Sequence, residues 1–456
     1  MPLKFAEEQQ DEPLLPTSTL QDAGAAPAQA VRVYASRWYI CLLFVVFCVM
    51  QSSMWSFFAP IQGPVQQLYG WSDDFIVWLG NAANITFCVL VIPLGALVDS
   101  PQGMRIPLLV TVLALCVNSG LRCVPVPWVG QRGYDSLQMV SMLANGLAGT
   151  LESLAPPVLS ALWFPVHERA TATAVMATAN TLGTAVGFSV AFAVPASGSN
   201  EDISTALNRV YWGMFLVCLS TLGAMVLYFP NKPPSPPAAS CSIERVPVLP
   251  GLIQLAGHGR FWVVVFTMAL PLGVYAAWLN VLDINLKAFA FSQTDAAWVG
   301  FASTVAGAIG GVVMGRFADA FPGRLTRIIA VLYTAATACV LAFALICIGA
   351  LPFSLPAVYA LSVATGFLMY ATYPLFFELA IETSFPIPEA CTAAALVCAQ
   401  AVVQSAYLFI PPSIGTAWMN WALVACPISA VAVLLTFKEK YTRLNADLDA
   451  MKREAA

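Results

Sequence analysis

The chain of 456 residues is 59% apolar and only 10% charged, with a formal net charge of −4 and a mean hydropathy of +0.77. A soluble globular domain carries roughly a quarter charged residues; that class is excluded, and a lipid bilayer is the expected surrounding, because charge is costly to hold there. No basic tract points to nucleic acid, and the twelve Cys lie singly in apolar runs, as small hydrophobes rather than a disulfide framework or metal site.

Residues 1–33 are polar and Ala/Pro-rich without apolar periodicity, the composition of a disordered tail, and they lack the basic-then-apolar order of a signal peptide. Within them EEQQDEPLLP places Asp11 before Leu14 and Leu15, as in a dileucine sorting signal read by adaptor proteins; a chance Leu pair in a loose tail is the alternative. A membrane helix needs about 20 apolar residues. From Trp38 onward runs of that length predict spans at 38–62, 74–98, 105–125, 135–160, 169–194 and 209–229. Six more are predicted at 261–286, 295–318, 325–349, 355–378, 389–412 and 415–437. The stretch FPNKPPSPPAAS, too rich in proline to be helical, opens a linker over 230–259. The expected fold is therefore all-α, with twelve transmembrane helices. One six-helix bundle covers 34–229 and a second 260–437, with a cytoplasmic tail over 438–456.

Placing both termini in the cytoplasm puts sixteen of the twenty Lys and Arg on that side and leaves Arg122, Arg132, Arg209 and Lys287 on the other. That distribution satisfies the positive-inside rule, and the reverse topology violates it. Near the end of the chain, Tyr441 and Leu444 have the spacing of a tyrosine-based sorting signal, or form the last helical turn.

The two halves echo one another. LGALVDSPQGMR at 94–105 and MGRFADAFPGR at 314–324 each close an apolar run with small residues and an aspartate, then turn into a basic residue. Asp99 and Asp319 are 220 positions apart (319 − 99), and Glu168 and Glu389, one loop further on, are 221 apart (389 − 168). One offset for two landmarks is the mark of an internal duplication, which in a membrane chain points to two-halved transporter folds. Two readings suit these loops. In the first they gate: Asp99, Gly103 and Arg105, with Glu168 and Arg169, form one set, and Arg316, Asp319 and Arg324, with Glu378 and Glu389, form the other. A loop carboxylate can dock on a helix N-terminus or a basic partner in one conformation and let go in the other. In the second reading they are charges that only solvate helix ends.

These features resemble the major facilitator superfamily, whose aspartate-glycine-arginine loop follows helices 2 and 8. Within it the chain resembles the solute carrier 49 family, on RVYASRW at 32–38, FFAPIQ at 57–62, GLRCVPV at 120–126, NGLAG at 145–149, ERATATA at 168–174, PLGVYAAW at 271–278 and FFELAIETSFPIPE at 376–389. The resemblance implies a proton-linked transporter that moves a small organic solute, vitamin B6 as pyridoxine, from lysosome to cytosol; the chain is expected to be a monomer. Choline and ethanolamine carriers in the same family keep a small amine open as substrate. A non-transporting receptor or scaffold on the same architecture is the remaining alternative, whereas an enzyme lacks any convergent nucleophile, base or cofactor set.

In such a fold the transport site lies near the midplane, on helices 1, 4, 7 and 10. Trp55 stands mid-span among Gln51, Ser52, Ser53 and Ser56, away from the interfaces where tryptophan usually collects. It also falls where the cation-carrying members of the family place a stacking tryptophan. Helix 7 offers Tyr275, Trp278 and Asn280 behind Pro271 and Gly273, and helix 10 offers Tyr370 and Tyr373 at helical spacing. Either these aromatics form a cage for a pyridine ring or an amine, or they are ordinary packing. Proton coupling needs a carboxylate that changes protonation as access alternates. Glu152, inside helix 4, and Asp283, toward the far end of helix 7, are the candidates.

Overall fold

The computed structural model describes residues 33–98, 104–235, 248–282, 292–320, 324–385, 387, 389–410 and 417–439. Twelve long helices account for most of them: α1 Ser36–Trp55, α2 Asp73–Val98, α3 Arg105–Arg122, α4 Val126–Trp163, α5 Val166–Ser189 and α6 Asn200–Leu227. The second half supplies α7 Gly259–Asn280, α8 Gln293–Ala320, α9 Leu325–Cys347, α10 Leu355–Ser384, α11 Glu389–Leu408 and α12 Ala417–Thr436. No strand occurs among the described residues. Eleven of the twelve are long and apolar enough to cross a membrane. The exception, α4, breaks its apolar run with Gln138, Ser141, Asn145, Thr150 and Glu152, every one of them buried inside the protein. The lipid-facing side is built instead from aliphatic side chains such as Leu216, Leu227, Val89 and Leu435, all exposed on the bundle surface.

Several boundaries differ from those the hydropathy predicts. The first span stops at Trp55, not 62. Ser56–Phe58 turns, Ala59–Ile61 forms one tight turn around Pro60, and Gln62–Tyr69 makes a short helix. Proline lacks the N–H that would continue α1 and restricts the residue before it. Helix α4 begins at Val126, with a break in helical backbone at Gly130 (φ 70°, ψ 168°) that glycine adopts without steric cost. Helix α10 runs on to Ser384, so Glu378 and Glu382 lie within it. The linker is not wholly irregular, because Val248–Ala256 is helical and packs on both α2 and α11. Its proline is the third residue, where a helix has no internal partner for the missing N–H.

The duplication is visible as packing. Helix pairs α1–α5, α2–α4, α3–α4 and α3–α6 recur six helices later as α7–α11, α8–α10, α9–α10 and α9–α12. Without a hydrophobic drive between helices in lipid, close backbone approach at small residues holds such pairs together. A Cβ on Gly146 would strike the Ala83 carbonyl, and one on Gly366 would strike the Ser303 carbonyl. Both partners of the second contact lie 220 positions after those of the first (366 − 146 and 303 − 83). The halves meet through α2–α11 and α5–α8, again a matched pair.

We call the side where α1 begins and α12 ends the terminal face. At the opposite face the halves are shut against each other. Phe192 of α5's extension stacks near Trp298 of α8 (centroids 4.4 Å), Trp78 meets Phe409 edge-on at 5.1 Å, and Gln62 Nε2 donates to the Asn280 carbonyl at 3.4 Å. Asn180 on α5 and Glu378 on α10 are exposed.

Candidate transport site

Glu152 stands in the middle of α4, 6% exposed, and faces α1 and α5. The Ser52 hydroxyl donates to its Oε1 at 2.6 Å, and the Asn180 side chain reaches the same carboxyl. Ser52 Oγ is also 3.3 Å from Gln51 Oε1, and Gln51 Nε2 donates to the Asn145 carbonyl at 3.2 Å. Gly149, one turn before Glu152, leaves the room that Gln51 and Trp55 occupy. From α10, Tyr373 lies within electrostatic reach of the carboxylate. A hydrogen-bonded carboxyl one layer beneath an exposed amide is placed to take or release a proton. The other carboxylate expected to do so, Asp283, lies outside the described residues.

The aromatic candidates fall into two neighbourhoods. Tyr275 and Trp278 are near-parallel (centroids 6.2 Å, 20°), and Tyr370 meets Tyr275 edge-on at 5.5 Å. Trp278 is fixed from behind by Phe343 at 5.3 Å and by its Nε1 donating to Asn420 Oδ1 at 2.9 Å. The Tyr275 hydroxyl, fully buried, has no hydrogen-bond partner among the described residues. Tyr373 donates to Gln400 Oε1 at 3.0 Å. Trp55 and Asn280, from different halves, share a small cavity with Phe58, Gln62, Met142 and Val281. Its free volume of about 30 Å³ holds a water and no solute, as expected of a passage closed on the opposite face. An open groove of about 600 Å³ between the ends of α7 and α12, around Arg260 and Lys438, lies on the outside of one half and lacks these groups.

Part of the loop set is described. Glu168 accepts from Arg37 Nε at 3.0 Å and from Nη2 at 3.3 Å, which fastens the start of α5 to the start of α1. The same guanidinium lies over the rings of Trp38 and Phe164. The backbone N–H of Arg105 donates to Asn231 Oδ1 at 2.9 Å, and its Nη2 donates to the Val226 carbonyl at 3.2 Å, so it ties α3 to the end of α6. Arg316, Arg324 and Glu378 are exposed. Asp99 and Gly103, and the sorting residues Asp11, Leu14, Leu15, Tyr441 and Leu444, lie outside the described residues, as do the side chains of Arg169, Asp319 and Glu389.

One residue that sequence reading counted only among the charges of the opposite side is in the core. Arg122, at the end of α3, is 2% exposed. Its Nε donates to Asn118 Oδ1 and Ser141 Oγ, both at 3.2 Å, and its Nη2 to the Met54 carbonyl at 3.1 Å and toward Met142 Sδ. The guanidinium sits 5.1 Å from the Phe57 centroid and 4.9 Å from that of Phe58. Polar residues at helical spacing (Asn118 and Arg122; Gln138, Ser141 and Asn145) were the available signal.

Comparison with known proteins places this geometry. The family model described as Major Facilitator Superfamily matches residues 42–411. A Xenopus laevis protein described as a solute carrier family 49 member 4 homolog is 33% identical over 435 residues, covering 91% of this chain and 94% of its own. The Danio rerio choline/ethanolamine transporter flvcr2b is 23% identical over 429 residues, covering 89% and 84% respectively. Among solved structures, a D-xylose-proton symporter superposes with a TM-score of 0.64 at 14% identity, covering 88% of this chain and 97% of its own, a likeness of fold alone. The chain belongs to the major facilitator superfamily, within the solute carrier 49 family, and is a membrane transporter rather than an enzyme.

Proposed function

We propose that this transporter exports a small organic solute, pyridoxine, from the lysosome to the cytosol by proton-coupled alternating access, with both termini cytoplasmic. The observation that carries the reading is the Glu152 carboxyl, buried in α4, bonded to Ser52 and in electrostatic reach of Tyr373 across the gap between the halves. A proton taken up there from an acidic lumen neutralises the carboxyl while the solute is bound, and its release to the neutral cytosol resets the site. Tyr275, Trp278, Tyr370 and Tyr373 supply ring faces for the pyridine. Asn180 and Gln400 supply amide partners for its hydroxyls, and Trp55 with Asn280 closes over it. Asp283 serves as a second carboxylate on the lumenal side. The paired loops at Asp99 and Asp319 act as cytoplasmic gates. The chain works as a monomer and is delivered by adaptors that read its tails.

A second reading, a choline or ethanolamine carrier, is favoured by the relatives that bear those names and by Trp55, since a quaternary amine stacks on tryptophan. Counterflow in proteoliposomes separates the two. Vesicles preloaded with pyridoxine are expected to draw in labelled pyridoxine. Counterflow with choline and not pyridoxine would establish the second reading, and silence with both would remove each.

A further inference from the structure

Two stretches of buried hydrogen bonds, joined through the backbone and side chain of Asn145, link Glu152 to Arg122. Ser52 Oγ lies 2.6 Å from Glu152 Oε1 and 3.3 Å from Gln51 Oε1; Gln51 Nε2 donates to the Asn145 carbonyl at 3.2 Å. Asn118 Nδ2 donates to Asn145 Oδ1 at 3.0 Å, and Arg122 Nε donates to Asn118 Oδ1 at 3.2 Å. The run crosses from α1 to α4 to α3 and returns to α1, because Arg122 Nη2 holds the Met54 carbonyl in its last turn. Beyond that turn stand Phe57 and Phe58, beneath the same guanidinium. The Ala59–Ile61 turn that follows packs against α8 and α7, the other half of the molecule.

The switch in this run is one hydroxyl. Ser52 has a single O–H to give and two acceptors within reach. With Glu152 ionised, the hydroxyl donates to the carboxylate and Gln51 Oε1 goes without. With Glu152 protonated, the carboxyl O–H donates to Ser52 Oγ, and the Ser52 hydroxyl turns to Gln51. The Gln51 amide thus senses the proton and reorients against the Asn145 main-chain carbonyl, which shifts the residue whose side chain holds Asn118. The groups facing each end are few. Cys48 of α1 and Tyr373 of α10 face Glu152, while Tyr134 of α4, Tyr211 and Cys218 of α6, and Cys123 face Arg122. No described carboxylate forms an ion pair with Arg122, and its buried Nη1 lacks a described partner. An unpaired buried cation is costly, so its hold on Met54 and the two rings depends on the amides that fix it.

We infer that Ser52, Gln51, Asn145 and Asn118 relay the proton occupancy of Glu152 to Arg122, a positioning residue that sets the Phe57–Phe58 turn and thereby opens or shuts the opposite face. This rests on Glu152 exchanging a proton in the transport cycle, as proposed above.

The test is labelling of a cysteine placed at Val281, which is 2% exposed and lines the shut cavity between the halves. An impermeant maleimide is applied at the opposite face in acidic and in neutral buffer, with the unsubstituted chain as blank. On the V281C parent the labelling rate, divided at each pH by the rate at a freely exposed cysteine on the same face to cancel thiol ionisation, is expected to differ several-fold between the buffers. Adding Glu152→Gln, Asn118→Leu or Arg122→Lys is expected to abolish that difference. The lysine keeps the cation and the fold but cannot hold Asn118, Ser141 and Met54 together, so it decides the matter should Asn118→Leu elute as aggregate. If Glu152→Gln is flat but Asn118→Leu and Arg122→Lys keep the parent's pH response, the relay is overturned and the role of Glu152 stands. If Glu152→Gln keeps the response, or the parent shows none, the Glu152 reading falls and takes the relay with it.

Discussion

The two halves share one packing plan and hold different chemistry. Gly146 on Ala83 and Gly366 on Ser303 are the same contact made twice, and the helix pairs around them match. Inside that common frame the first half carries a polar spine of Gln51, Ser52, Asn118, Arg122, Asn145 and Glu152. At the positions 220 further on the second half carries Pro271, Leu272, Ala338, Ala342, Thr365 and Thr372 instead, and its ring pair Tyr275 and Trp278 is buried. Glu152 corresponds to Thr372, whose hydroxyl donates to the Met369 carbonyl of its own helix and reaches Tyr333, and Trp55 corresponds to Tyr275. Duplication fixed the backbone approach that helices in lipid require, and the interior positions were free to diverge. We read the division as functional, with one half handling the proton and the other the ring of the solute.

The largest effects should be the ones the halves share. Gly146→Ala and Gly366→Ala each force a Cβ into a backbone carbonyl across the helix pair, at a cost on the order of 3 kcal/mol. Both are expected to lower the temperature at which the purified protein aggregates, by similar amounts; a large inequality would mean the halves are not packed alike. The next effect should be lopsided. Ser52→Ala removes a hydrogen bond to a buried carboxyl, worth roughly 1.5–3 kcal/mol when the acceptor is charged, and should cut pH-driven uptake about tenfold or more. Thr372→Val, at the position matching Glu152, should leave uptake within about twofold, because the bonds it loses, to Met369 and Tyr333, are between neutral groups and involve no carboxyl. Equal losses in the two variants would undo the division of labour.

How much of this the sequence carries depends on the range of the cause. Span number, the offset of 220 and the burial of Glu152 follow from local signals: run length, repeated motifs and an acid inside an apolar segment. The end of α1 was misread because WSFFAPI stays apolar after the helix has stopped, so hydropathy continues while the backbone turns at Pro60. The burial of Arg122 was not legible, because an arginine at a span's edge before Cys-Val-Pro has the pattern of an interface anchor. Its partners, Met54, Asn118, Ser141 and Met142, come from three helices and are brought together only by packing. The linker helix was hidden by the proline-rich stretch before it.

Smaller effects sharpen the comparison further. Trp278→Phe deletes the bond to Asn420 and part of the ring face. It should raise the half-saturating solute concentration about fivefold, the equivalent of roughly 1 kcal/mol, without altering the pH response. Arg37→Ala breaks a pair whose side chains are 16% and 29% exposed, and it should cost less than about 1 kcal/mol of stability, with the difference shrinking in high salt. A change in substrate preference from that variant would mean the α1–α5 fastening acts on the site itself.

The most direct measurement is accumulation of labelled pyridoxine in proteoliposomes under an imposed pH gradient, compared between the unsubstituted chain and Glu152→Gln, with counterflow run on the same vesicles. The unsubstituted chain is expected to concentrate the solute against its gradient. Glu152→Gln is expected to exchange it in counterflow and fail to concentrate it. Equal accumulation by both proteins would contradict proton coupling through Glu152.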